Sequence, residues 1–259
     1  MLKIKDIYIK GKDLNDTWFQ LLWGIDSIGR KVKIDSGSFE GIDTYRVEFD
    51  FAAGIIEYPT IRPLSPIMPS NMDPVTTDDI IGDYFVNYLM NGNLEVNEHY
   101  KYATWINGGY YNIPNIEVGE LIGCQTIKVP QQLEWCINHF KNKGLYNNHC
   151  YIQVGYPESC FAYDVPYKNP EDRQTSPCLR GIDLKIVDED GKNYLLSHVY
   201  FRSWDLYSAW PTNMGGITLL LEYIARELNV EVGFLSFSSE KLHCYSHQIK
   251  SLKKRLGKE

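Results

Sequence analysis

The sequence predicts an α+β fold, and three observations carry that reading. Ile182-Leu184-Ile186 alternates with polar residues and is turned by Asp188-Glu189-Asp190-Gly191 into a second run at 194–201, the pattern of an antiparallel hairpin. Ile217, Leu220, Leu221, Ile224 and Leu228 recur at helical spacing beyond Pro211. Strands and helices are interspersed along the chain, with neither an internal repeat nor a low-complexity tract.

Taken in order, Leu2-Ile4 and Ile7-Ile9 suggest a short strand. Asp16 suits the cap of a helix carrying Trp18, Leu21, Leu22 and Ile25, which Gly29 ends. Residues 31–58 hold alternating runs such as Tyr45-Val47-Phe49 and read as strands. Five prolines between 59 and 74 require an irregular surface excursion. Thr77 or Asp78 then caps a helix with Ile80, Ile81, Tyr84, Phe85, Tyr88 and Leu89 on one stripe, stopped at Asn91-Gly92. Another helix starts near Pro130, with Leu133, Cys136, Ile137 and Phe140 inward and Gly144 at its end. Residues 150–154 read as a buried strand, and 155–177 as a loop rich in Pro, Tyr and charge. Two last strands fall near 232–237 and 242–246. The strands near Cys150 and Ile182 carry apolar residues on both apparent faces, which predicts an isologous homodimer formed through the sheet.

A chain of 259 residues with ordinary apolar content buries a sizeable core, as one large domain or two small ones. A net charge of −7 argues against a nucleic-acid binder. The basic stretch 250–258 reads as a solvated end. No run reaches the roughly 18 apolar residues of a membrane span, and residues 1–6 lack the apolar core of a signal peptide. The six cysteines form no C-x-x-C pair, so neither a metal site nor a redox motif is expected, and reduced thiols in the cytoplasm are.

Chemistry concentrates in the last third. Cys178 follows Pro177 after a loop, at the mouth of a strand. It is either a small buried hydrophobe or a nucleophile, and a nearby cation decides which. Arg202 on the return strand and Arg180, two residues along, can supply that cation. Arg202-Ser203 is a phosphate grip or a surface Arg beside a turn Ser. Asp205 is a loop carboxylate or a site acid. Asn213 is a helix cap or the reader of a pyrimidine edge, since one amide can meet N3–H and O4 of uracil together. His243 and Tyr245 share a strand face and suit a sugar hydroxyl.

Taken together, Pro177-Cys178, Tyr200-x-Arg202-Ser203-x-Asp205, Pro211-x-Asn213, the Leu-rich helix, Glu231-Val232-Gly233 and His243-x-Tyr245-Ser246 resemble the thymidylate synthase family in order and spacing. The forms Pro-Cys-Leu-Arg and Tyr-Phe-Arg-Ser-Trp-Asp look like its short archaeal branch. The resemblance is best over residues 150–248; residues 1–75 diverge. It implies a single domain over 1–259, with a large mixed α/β sheet flanked by helices and packed against its copy in a homodimer. It implies a methyltransferase of thymidylate synthase type. Cys178 would add to C6 of dUMP, and C5 would take a one-carbon unit from a methylene-carrying reduced folate or methanopterin. Arg202 and Ser203 would hold the phosphate, Arg202 lying beside the Cys178 thiolate. Asp205 would touch pterin and base site, Asn213 would read uracil, and His243 and Tyr245 would hold the ribose 3′-hydroxyl.

The chain also departs from the family pattern. Leu179 and Phe201 stand where most bacterial members have His and Gln. Asn147-Asn148-His149 occupies the place of the arginines that a partner subunit lends. The helix glutamate has only Asp83 as a counterpart, and the chain ends soon after Tyr245. These departures keep open a pyrimidine-nucleotide 5-hydroxymethylase and a catalytically silent nucleotide-binding relative. A Cys178–His243 hydrolase is a further rival from another class.

Overall fold

The computed structural model describes residues 2–35, 44–94, 98, 100–117, 120–166 and 175–258. The parts of the expected 31–58 strands and 155–177 loop that fall at 36–43 and 167–174 lie outside those residues. β1 (Asp6–Gly11) leads into α1 (Leu14–Ile28), then β2 (Arg30–Lys33), β3 (Tyr45–Glu48) and β4 (Phe51–Ile56). After the proline-rich excursion come α2 (Asp78–Tyr84), continued by a π-helical turn over Phe85–Met90, and the short α3 (Ala103–Ile106). β5 (Gly109–Glu117), β6 (Glu120–Val129), α4 (Gln132–Lys143) and β7 (Tyr151–Gln153) follow. The last third is β8 (Leu179–Glu189), β9 (Lys192–Phe201), β10 (Trp204–Asp205), α5 (Ala209–Leu228), β11 (Glu231–Ser239), β12 (Leu242–Tyr245) and α6 (Ile249–Arg255).

A six-stranded mixed sheet runs β1-β4-β11-β9-β8-β7. β1 pairs with β4 in parallel and β11 with β9 in parallel, while the β8–β9 hairpin is antiparallel. The hairpin turns where expected, with Asp190 and Gly191 both at positive φ. A second sheet, β10-β12-β3-β2, sets Asp205 beside His243. The expected mixture of sheet and helices is thus present.

Helices α1, α4 and α5 pack on the sheet, α2 packs on α5, and one hydrophobic cluster runs from Ile9 to Leu256. Ile217, Leu220, Leu221, Ile224 and Leu228 of α5 are all buried, as their spacing predicts. Two glycines allow close helix packing: a Cβ on Gly215 would lie 2.8 Å from Ile81, and one on Gly216 would lie 2.4 Å from the Tyr84 ring. The approach of α2 to α5 therefore depends on bare backbone at Gly216, and it brings Tyr84 up to the turn of α5 that carries Asn213.

Several expectations need correction. Asp13, not Asp16, caps α1, its carboxylate accepting from the Asp16 N–H at 2.9 Å. Leu2 and Ile4 lie outside β1 and are exposed. Ile80 is exposed, because α2 turns Ile81 and Tyr84 toward α5 instead. Pro211 lies inside α5, which starts at Ala209; a proline is tolerated in a first turn, where N–H groups lack intrahelical partners. The antiparallel β5–β6 hairpin went unforeseen. The outward positions of β7 and β8 are Tyr151, Gln153, Asp183 and Lys185, all exposed, so those strands bury only one face. The basic end is not simply solvated: Leu252 and Leu256 of its helical stretch are buried, Arg255 stacks over Phe19 at 5.0 Å, and Lys258 pairs with Asp26 at 2.5 Å.

Candidate active site

Where β8 leaves its preceding loop, Cys178 lies half-buried one residue before the strand. The Arg202 N–H donates to the Cys178 carbonyl at 2.9 Å, so the hairpin register sets the arginine beside the thiol. Arg202 Nε donates to the Pro177 carbonyl at 3.0 Å, and Nη2 donates to the Ser176 carbonyl at 2.7 Å and to the Tyr163 hydroxyl. Those bonds clamp the guanidinium along one edge. Among the described residues Nη1 makes no hydrogen bond, which leaves two of the five donors for an anion. Arg180 donates to Ser176 Oγ at 3.3 Å and lies against Gly155, where a Cβ would come within 2.9 Å of its Nη1. Gly155 also has φ near +81°, so glycine is needed there on both counts.

Burial pushes the Cys178 thiol up; the Arg202 and then the Arg180 guanidiniums pull the other way without overcoming it. The cations are in place, but desolvation dominates in the ligand-free chain.

Cys178 belongs to a cavity of about 330 Å³, also lined by Ser203, Trp204, Asp205, Asn213, His243 and Tyr245. That volume falls within the roughly 300–1,000 Å³ usual for small-molecule sites. Six sequence-predicted residues thus share one pocket. Arg202, the seventh, is not among the lining residues but acts on the sulfur from beside it. Two other clefts, of about 360 and 610 Å³ around Asn107 and Gln131, contain none of the predicted residues.

Asp205 caps the turn that precedes α5. Its Oδ1 accepts from the Tyr207 and Ser208 N–H groups at 3.0 Å each, and its Oδ2 accepts from Gln248 Nε2 at 2.8 Å. Three of its four lone-pair positions are used and one remains. Asn213 is not a cap, since it lies within α5 with its Oδ1 accepting from Trp204 Nε1 at 2.9 Å.

His243 is buried, with Nδ1 at 2.8 Å from the Lys241 carbonyl and Nε2 without a partner. A carbonyl only accepts, so Nδ1 carries the proton and Nε2 offers a lone pair. Burial pushes the imidazole pKa down, against the Lys241 carbonyl and the Asp205 charge, which favours this neutral form. The Tyr245 ring meets the imidazole edge-on at 4.7 Å. Since Nε2 has no partner, no Cys178–His243 hydrogen bond exists, and the hydrolase dyad is not assembled.

The part of the site that sequence reasoning missed is a tyrosine wall. Tyr84 and Tyr88 stack at 5.3 Å, Tyr88 meets Tyr102 edge-on at 5.2 Å, and all three line the cavity. Tyr102 Oη accepts from the Leu179 N–H at 3.2 Å, anchoring the wall next to Cys178. Burial pushes all three phenols well up, so they stand as neutral donors. The i, i+4 spacing of Tyr84 and Tyr88 on an inward helix face was the available signal. Asp83, the expected glutamate counterpart, is exposed on the outer side of α2 and does not line the cavity; its neighbour Tyr84 does. Asn147 and His149 engage Gly144 and His139 in an exposed turn.

A mixed α/β scaffold thus gathers a thiol acted on by two guanidiniums, an oriented amide and an imidazole lone pair around one cavity of small-molecule size. Residues 160–259 match the family described as thymidylate synthase. Two archaeal proteins named "Putative thymidylate synthase" are similar. The one from Methanothermobacter thermautotrophicus is 36% identical over 95 residues, covering 36% of this chain and 41% of that protein. The one from Methanosarcina acetivorans is 38% identical over 93 residues, covering 35% and 41%. The thymidylate synthase of Listeria monocytogenes is 32% identical over 93 residues, covering 35% of this chain and 28% of that protein. The match thus spans about two fifths of these archaeal relatives' length.

Proposed function

We propose that this chain transfers a one-carbon unit from a reduced pterin to C5 of dUMP through a covalent bond between Cys178 Sγ and C6. The observation that carries the reading is the shared cavity of Cys178, Asn213 and His243, with Arg202 and Arg180 both acting on the sulfur. Sγ gives up its proton to water and bonds to C6, and the C5–C6 π pair moves onto C5 and O4; once C5 has taken the carbon it loses its hydrogen as a proton, and the C6–Sγ bond breaks to restore the ring double bond. The two guanidiniums favour the thiolate that this step needs. The free Nη1 donors of Arg202 and the Ser203 hydroxyl bind the phosphate. The Asn213 amide accepts from N3–H and donates to O4, where charge develops. His243 Nε2 accepts from the ribose 3′-hydroxyl, with Tyr245 beside it.

The site suits a flat pterin, because it offers an aromatic wall and one remaining Asp205 lone pair for a ring N–H. Reduced folate or methanopterin, when bound, supplies the methylene carbon; the chain's own part is to hold it against the tyrosines and Asp205.

One continuous hydrophobic cluster supports reading 1–259 as one domain, with 150–248 as its catalytic part. The large sheet leaves Tyr8, Phe51 and Tyr200 exposed, which supports a homodimer through that face. Six free cysteines support a reducing, cytoplasmic setting, and no helix among the described residues is long and apolar enough to cross a membrane. Tritium release from C5-labelled dUMP, with methylenetetrahydrofolate and then with the methylene-methanopterin, tests the reaction. No release above blank with either carrier would overturn it. Light scattering tests assembly, and a monomer at micromolar concentration would refute the dimer.

A further inference from the structure

Asn213 can mate with uracil or, turned over, with cytosine, so its amide selects a base only if something fixes its orientation. We propose that Trp204 is that positioning residue: its indole N–H holds the Asn213 carbonyl and thereby sets the pocket to uracil. The inference rests on the nucleotide reading above and deepens it.

A tryptophan side chain donates and cannot accept. At 2.9 Å from Trp204 Nε1, the amide atom of Asn213 must therefore be the oxygen. The indole itself is immobile. Trp204 is 2% exposed, stacked on Phe201 with ring centres 3.8 Å apart, and bordered edge-on by Phe237 at 6.1 Å. Its backbone is fixed by pairing with Leu242. The Tyr84 hydroxyl is buried without a hydrogen-bond partner, and the nearby Asn213 side chain acts against the burial that raises its pKa.

In this setting Asn213 presents the second lone pair of its oxygen and an N–H to the cavity, which match N3–H and O4 of uracil. A cytosine held by the same Cys178 and phosphate contacts requires the two amide atoms to exchange places. The NH₂ would then face the indole N–H, donor against donor, and two buried groups would lose their partners. Leaving a buried donor unpaired costs about 5- to 150-fold.

The test compares equilibrium binding of dUMP and dCMP to the unmodified protein and to Trp204→Phe by titration calorimetry, with thermal unfolding as a control. Phenylalanine keeps an aromatic ring in the stack and removes the N–H. The expected result is a dUMP preference in the unmodified protein and a preference at least 5-fold smaller in the variant. A loss of packing alone would weaken both nucleotides together and leave their ratio unchanged, and that outcome in a folded variant overturns the inference. If Trp204→Phe does not fold, β-(3-benzothienyl)alanine at position 204 preserves the bicyclic shape without the N–H, and the same ratio is read. An unmodified protein that binds neither nucleotide overturns the nucleotide reading itself and this inference with it. That failure is told apart because it is seen before any substitution is made.

Discussion

Gly216→Ala perturbs the contact on which the cavity depends. The new Cβ would stand 2.4 Å from Tyr84 Cδ1, 2.8 Å from Cε1 and 3.3 Å from Leu89 Cδ1, so the tyrosine ring or the helix must move. Forcing a methyl into a packed contact costs about 1–3 kcal/mol. Replacing glycine by alanine inside a helix returns about 1 kcal/mol. The net expectation is a loss of about 0–2 kcal/mol. Gly82→Ala is the matched control: it too lies inside a helix, and nothing stands within 4 Å of its added Cβ. The propensity gain is common to both, so the two variants should differ by about 1–3 kcal/mol, with Gly82→Ala the more stable. Urea unfolding at equal m-value reads that difference directly. Gly216→Ala should also weaken dUMP binding, because the displaced ring belongs to the tyrosine wall. If Gly216→Ala proves as stable as Gly82→Ala, the close approach of α2 and α5 is wrong.

Two further outcomes concern the thiol and the sugar. Burial raises the Cys178 pKa and Arg202 opposes it, so the pH midpoint of Cys178 alkylation by iodoacetamide should lie above that of an ordinary thiol. It should move higher still in Arg202→Met, and an unchanged or lower midpoint would contradict the electrostatics. His243→Phe should weaken dUMP by about 5- to 150-fold while hardly affecting its 3′-deoxy analogue; equal losses for both would remove His243 from the sugar site.

What the sequence made legible was mainly what local periodicity and spacing encode. The inward stripes of α4 and α5 and the β8–β9 hairpin were read from apolar period and turn chemistry. The pocket residues Cys178, Ser203, Asp205, Asn213, His243 and Tyr245 were legible because several spaced matches together are specific. Long-range pairing was not legible: the parallel partnerships of β1 with β4 and of β11 with β9 join strands far apart in the chain. The Thr77 cap of α2 was legible, but the cap of α1 was misplaced by three residues because Asp13 and Asp16 are chemically equivalent candidates, and only backbone geometry chooses Asp13. Asp205 looked like a site acid, yet most of its hydrogen-bonding capacity holds the entry to α5 and Gln248. The tyrosine wall stayed hidden because Tyr84 and Tyr88 read equally well as core. Their pocket role depends on Gly216, more than a hundred residues away in sequence.

The central claim is that Cys178 bonds covalently to C6 of a deoxyuridylate. Intact-mass analysis after incubation with 5-fluoro-dUMP and a methylene-pterin tests it most directly. The account predicts a stable mass increase equal to nucleotide plus carrier, mapped to the peptide bearing Cys178 and abolished in a folded Cys178→Ser variant. An unmodified protein mass with both compounds present at saturation, or an adduct that survives Cys178→Ser, would contradict it.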